Sequence, residues 1–244
     1  MPRIKMIIEY DGSQYHGSQI QPNAHTVQAA LQEAIYRLTA EKAAVLFAGR
    51  TDTGVHACGQ VIAFDTSASI PPQRWGLALN SVLPADIRVL ESEEVSPDFH
   101  PRFQAVLKHY QYRIYRSPQG AVFQRHYAWC CTEPLNLEDM HRACPYLLGT
   151  HNFKSFCASG YTTKTFVRTV TYCRLREEGL YLLLDIAADG FLYNMVRIIT
   201  GTLVDIGRGR IKPRDMEHII ASQERKNAGP TAPPQGLYLL QVDY

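Results

Sequence analysis

The sequence predicts an α+β fold of two similar subdomains, each a mainly antiparallel sheet flanked by helices. Three observations carry that prediction. Segments with strand and helix periodicity alternate along the chain. Two strand-like runs meet at Gly179 across a turn too short for a parallel crossover, which makes them antiparallel neighbours. The recipe of the first hundred residues then recurs after a break near residues 97–107, so the subdomains are drawn as 1–104 and 105–244.

The first element is a strand over residues 3–10, followed by a helix over 27–38 with Thr26 as its N-cap and Val27, Leu31, Ile35 and Leu38 on one face. Strands are predicted at 43–47 and 60–64. Pro71-Pro72 opens a helix running to Ala78, and residues 87–94 form a strand that ends before Ser96-Pro97. The aromatic-rich run Lys108-His109-Tyr110-Gln111-Tyr112-Arg113-Ile114-Tyr115 begins the second half as a strand. Asn136 caps a helix that carries Glu138 and Asp139 in its first turn, is disturbed at Pro145 and ends by Gly149. Strands over 165–175 and 180–187, a helix over 191–206, a helix from Pro213 and a strand over 237–242 complete the chain.

With 244 residues and 45% hydrophobic content, the chain can build real cores. The short apolar run before Asp11-Gly12 is far below a signal-peptide core or a membrane span, so a cytoplasmic protein is expected. None of the six cysteines forms a Cys-x-x-Cys, and Cys130-Cys131 is a poor disulfide pair; they read as free thiols in a reducing compartment. The net charge of +2 says little, but its distribution says more. No acid falls between Asp98 and Glu133 or between Met140 and Arg176, stretches that carry ten arginines and lysines between residues 102 and 174. Such segregation suits a polyanionic partner. Arginine outnumbers lysine 18 to 7, which favours planar phosphate and base contacts, although genomic base composition produces the same bias.

The segment with most chemistry is Gly49-Arg50-Thr51-Asp52-Thr53-Gly54-Val55-His56-Ala57. It places a carboxylate on a glycine-flanked loop after an apolar run, where a strand fixes position and a loop leaves access. The plainer reading is an Asx-type turn with Gly54 at positive φ. Asp52-Thr53-Gly54 also matches the aspartic-protease tripeptide, but only one copy is present and that chemistry needs two carboxylates sharing a proton. An RNA-binding or chaperone protein without catalysis is the other rival. There is no Gly-x-Gly-x-x-Gly, P-loop or His-Glu-x-x-His, and the histidines show no ligand spacing, so neither cofactor nor metal is expected.

The nine residues from Gly49 to Ala57 resemble the signature of the tRNA pseudouridine synthase A family. Four further segments match it in order. Tyr10-Asp11-Gly12-Ser13-Gln14-Tyr15-His16-Gly17 resembles the first-strand exit, and Lys108-His109-Tyr110-Gln111-Tyr112 the basic-x-Tyr-x-Tyr strand. Gly190-Phe191-Leu192-Tyr193-Asn194-Met195-Val196-Arg197 resembles the arginine-bearing helix start, and Ala232-Pro233-Pro234-Gln235-Gly236-Leu237 the C-terminal Pro-x-x-Gly-Leu. Two departures stand out: Ser18 where tryptophan is expected, and Asn152 where aspartate is expected.

The resemblance implies the pseudouridine synthase fold with a basic cleft between the subdomains. It also implies isomerisation of uridine to pseudouridine at positions 38, 39 and 40 of the tRNA anticodon stem-loop, without a cofactor, by a homodimer. Asp52 is then the catalytic carboxylate, acting as nucleophile at the sugar or as a base assisting glycal formation. Desolvation beside a bound base would raise its pKa, so it needs a cationic partner, and Arg197 is the matching residue. At about 100° per residue Arg197 lies roughly 140° from the stripe through Leu192, Val196 and Leu203, a position that equally suits a solvated arginine. Tyr110 is implied to stack on the uracil and to take a proton from C5; a packed aromatic ladder is the plainer account of its strand. Arg50 is implied to meet phosphate or orient the loop, and Leu237 to line the pocket below the base, though either core or surface duty would explain them.

Overall fold

The computed structural model describes residues 1–244. They divide into two compact units, Met1–Val106 with Tyr238–Tyr244, and Leu107–Leu237.

The first unit begins with strand β1, Arg3–Tyr10, whose burial alternates so that Ile4, Met6, Ile8 and Tyr10 face the core. Helix α1, Val27–Thr39, is capped as expected: Thr26 Oγ1 accepts from the Ala29 amide at 3.2 Å. Strand β2 is shorter than the predicted 43–47 and comprises only Leu46–Phe47. The reason is visible in α1, where Gln32 and Gln28 donate to the carbonyls of Ala43 and Val45, taking acceptors that a strand ladder would have used. Strand β3, His56–Asp65, is buried over most of its length. Helix α2, Trp75–Asn80, follows a 3₁₀ turn at Pro72–Arg74, and strand β4, Ile87–Val95, comes next. Strand β1 lies between β3 and β4, antiparallel to both. Trp75 is wholly buried, edge-on to Phe64 at 5.1 Å.

The second unit contains strand β5, Leu107–Arg116; the short strand β6, Trp129–Cys131; and helix α3, Leu137–Ala143, capped by Asn136. At Pro145 the helix tightens into a 3₁₀ turn, Cys144–Leu147, in accord with the disturbance read from the sequence. Strand β7, Gly149–Asn152, precedes the hairpin of β8, Val167–Glu178, and β9, Tyr181–Ala188. Gly179 holds the hairpin turn with φ of 58°. The strands run in the order β5-β9-β8-β7, antiparallel throughout, with β6 parallel to β5. Asn152, one of the two departures, donates to Gln223 while accepting from the Lys154 amide; aspartate would lack the donor.

Helix α4, Met195–Gly207, starts four residues later than predicted, because Asn194 adopts φ of 60° and cannot lie inside a right-handed helix. Eleven of its thirteen residues are buried, Arg197 and Asp205 being the two exceptions. Its centre is crossed at van der Waals range by the stretch after helix α5, Asp215–Ser222. A Cβ on Gly201 would sit 1.8 Å from the Pro230 carbonyl oxygen, so only glycine fits. The Gly229 amide donates to Thr202 Oγ1 beside it.

The last strand, β10, Leu237–Asp243, runs parallel to β3, with Tyr238 opposite His56. Chain order alone would leave it with the second half; its partner β3 belongs to the first unit. No helix is long and apolar enough to cross a membrane.

Candidate active site

In the first unit, β2 and β3 are antiparallel, with Phe47 opposite Ile62, and the loop joining them carries the signature segment. The Asp52 carbonyl accepts from the Val55 amide at 3.1 Å, closing a four-residue turn whose third residue, Gly54, has φ of 76°. That is the type II arrangement, in which glycine is needed at the third position. The plainer reading holds for Gly54, which supplies the positive φ, but the bond that closes this turn is accepted by the main-chain carbonyl of Asp52, whereas an Asx turn would use its side chain.

The preceding residue, Thr51, is fixed on three sides. Its hydroxyl bonds to Tyr10 Oη at 2.8 Å, its amide donates to Ser18 Oγ at 2.9 Å, and its carbonyl accepts from the Ser18 amide at 3.1 Å. Ser18, the other departure, is only 1% exposed and serves as the lock on this loop. Two glycines permit the approach. A Cβ on Gly12 would lie 2.0 Å from the Val55 carbonyl oxygen, and one on Gly17 2.8 Å from that of Thr51. Gln60 adds a bond to the Gly49 carbonyl, and the Gly54 amide donates to Tyr15 O. Asp52 stands half-buried on this framework, while Arg50 is exposed and makes no hydrogen bond or ion pair within the chain.

His56 is buried and stacks on Tyr238 at 4.7 Å. Its Nδ1 lies 3.1 Å from both the Gly12 nitrogen and the Asp11 carboxylate. A backbone N–H can only donate, so Nδ1 is the acceptor there, and Asp11 is satisfied instead by the Ser13 amide at 2.9 Å.

The second unit holds the remaining candidates. Tyr110 on β5 pairs with Ile186 on β9 and is 8% exposed, with Phe191 edge-on at 5.1 Å. Tyr112, two residues along the same face, is fully buried and donates to the Pro233 carbonyl at 2.6 Å; burial pushes its hydroxyl pKa well up. Gly236 lies against that ring, where a Cβ would come within 2.6 Å. Leu237 follows it and is buried. Arg197, in the first turn of α4, is half-buried rather than solvated. Its Nε donates to the Ala232 carbonyl at 2.8 Å, its Nη1 donates to Asn194 Oδ1 at 2.7 Å, and its own carbonyl accepts from the Ala232 amide. Thus Asp52 and Arg50 share one loop of the first unit, while in the second the 229–237 stretch meets Arg197 at Ala232, carries Leu237 at its end and receives Tyr112, the neighbour of Tyr110 on the same face of β5.

Sequence reasoning missed Ser18, Tyr10, Thr51 and Asn194. The first three act on one another through contacts between residues 33 and 41 positions apart, which no local pattern encodes. Asn194 had a signal: an asparagine just before a helix is among the residues most tolerant of left-handed backbone.

A sequence model of the family described as tRNA pseudouridine synthase matches residues 6–104 and 143–244, which include Asp52, Arg50, Arg197 and Leu237; Tyr110 falls in the unmatched interval. The chain is similar over 100% of its length to the tRNA pseudouridine synthase A of Syntrophomonas wolfei, with 62% identity and 98% of that protein covered. Against the proteins of the same name from Moorella thermoacetica and Bacillus subtilis the identities are 51% and 46%, covering 100% of each chain and 99% of each chain respectively. Pseudouridine synthases are isomerases. This chain belongs to the tRNA pseudouridine synthase family.

Burial pushes the Tyr10 hydroxyl up to about 12, with the bond to Thr51 opposing the shift. An unfolded chain would release that proton near pH 10, so the folded state loses stability as pH rises through the interval from about 10 to 12. Urea unfolding of wild type and Tyr10→Phe should show the variant losing about 2 kcal/mol less across that window. Equal losses would mean that Tyr10 is not held protonated.

Proposed function

We propose that this chain isomerises uridine to pseudouridine in tRNA, at positions 38, 39 and 40 of the anticodon stem-loop, as a cytoplasmic homodimer. The observation that supports it most is the Asp52 turn, which couples a fixed backbone to a side chain that solvent can still reach. A target uridine in a stem must first leave the helix, at a cost of a few kcal/mol. The acid-free, arginine-rich stretches supply the phosphate contacts that offset it.

Asp52 then attacks C1′, and the bond from C1′ to N1 breaks. The uracil turns while held, C5 displaces the carboxylate from C1′, and the hydrogen on C5 departs as a proton while N1 gains one. Reactant and product are isomers, so no oxidant, reductant or cofactor enters. Arg197 keeps Asp52 ionised in a site that the bound base desolvates. Tyr110 stacks on the uracil and accepts the C5 proton, Leu237 forms an apolar wall beneath the base, and Arg50 meets backbone phosphate.

Tritium release from C5-labelled uridine in a transcribed tRNA tests this directly. The wild type should release tritium, with the modified sites mapping to 38–40, and Asp52→Asn should be slower by more than about 10³-fold while still binding tRNA. Binding by both with release by neither would leave an RNA-binding protein without catalysis. For assembly, static light scattering should return twice the 27.6 kDa chain mass; a monomer mass at assay concentration removes the homodimer.

A further inference from the structure

Asn194 is the N-cap of α4, since its carbonyl accepts the Ile198 amide at 2.9 Å. It is an atypical cap in two respects. N-cap residues ordinarily have extended backbone and turn the side-chain oxygen back onto an amide of the first turn, a bond worth about 1 kcal/mol. Asn194 has φ of 60° and ψ of 11°, and its side chain makes no capping bond. Left-handed backbone at a residue other than glycine is a further cost, which persists only where surrounding structure imposes it.

The side-chain oxygen is used elsewhere, on Arg197 Nη1 at 2.7 Å. Together with the Arg197 Nε bond to Ala232 O, this gives the guanidinium two acceptors on different segments, which fixes its plane. Ala232 is itself immobile: it is 1% exposed, its amide donates to Arg197 O, and the next carbonyl, that of Pro233, holds Tyr112. The asparagine is thus a contact in this arrangement that a side-chain substitution removes without touching the main chain.

We propose that Asn194 is a positioning residue for Arg197: it forgoes its capping bond to set the guanidinium plane for the catalytic carboxylate. This rests on the reading of Asp52 and Arg197 given above. Asn194 touches no reacting atom and acts through the orientation of the arginine, so its removal leaves substrate affinity alone and weakens the hold on the ionised carboxylate.

The test uses the full chain, a transcribed tRNA and single-turnover tritium release across pH. Asn194→Gly keeps the left-handed backbone and removes only the side chain, so the fold is retained and the melting temperature stays level or rises. Its rate constant should fall about ten- to hundredfold with tRNA affinity within about twofold, and the acid limb of its pH profile should move to higher pH. Asn194→Asp, which keeps the oxygen acceptor, should recover most of the rate on the alkaline side. A wild-type rate and pH profile for Asn194→Gly overturns the proposal. Equal losses in both variants with an unmoved pH profile also overturn it, since the residue would then be only a cap. If the wild type releases no tritium, the functional reading has failed and the proposal falls with it.

Discussion

The contact between the segment after β1 and the loop before β3 is the constraint on which the site depends. Two backbones approach there at distances that exclude a Cβ, at Gly12 against Val55 and at Gly17 against Thr51. Backbone packed this closely must pair its polar groups or lose hydrogen-bond energy, and Ser18 supplies partners for both the amide and the carbonyl of Thr51, while Tyr10 holds the Thr51 hydroxyl. The turn that carries Asp52 thus inherits the rigidity of β1 and β3. An exposed loop of ordinary composition would not hold a carboxylate to the tolerance that positioned chemistry requires.

The second unit solves the same problem with different parts. Its anchor is the stretch from Gly229 to Leu237, which crosses α4 against Gly201, bonds to Arg197 through both polar atoms of Ala232, and receives the Tyr112 hydroxyl at Pro233. Helix α4 is buried on nearly all sides, so Arg197, one of its two half-buried residues, is held by neighbouring main chain and not by solvent alone. In each unit the candidate side chain is placed by inert neighbours, most of them glycines, a serine or backbone carbonyls.

Much of this was legible in the sequence, and the parts that were not share a cause. Thr26 and Asn136 announced their helices through local capping, and the turn at Gly179 announced its hairpin. Strands β6 and β7, of three and four residues, are too short to show a period and exist because longer strands pair with them. The parallel pairing of β10 with β3 joins residues nearly two hundred positions apart, beyond any windowed pattern. In α4 the stripe through Val196, Ile199, Leu203 and Ile206 is buried as read, but most of the opposite side is buried too, so Arg197 came out half-buried despite its angle from the stripe. Ser18 looked like a mere departure from a family pattern. Its role emerged only when the loop it locks was seen beside it.

The central claim is that Asp52 is positioned by hydrogen bonds one residue away, and Ser18→Ala measures it most directly. Single-turnover tritium release at saturating tRNA should slow about tenfold or more, with tRNA affinity unchanged, because the loop loses its lock while the carboxylate and the binding surface remain. A rate equal to that of the wild type would contradict the account, and would mean that the turn holds its geometry without the serine.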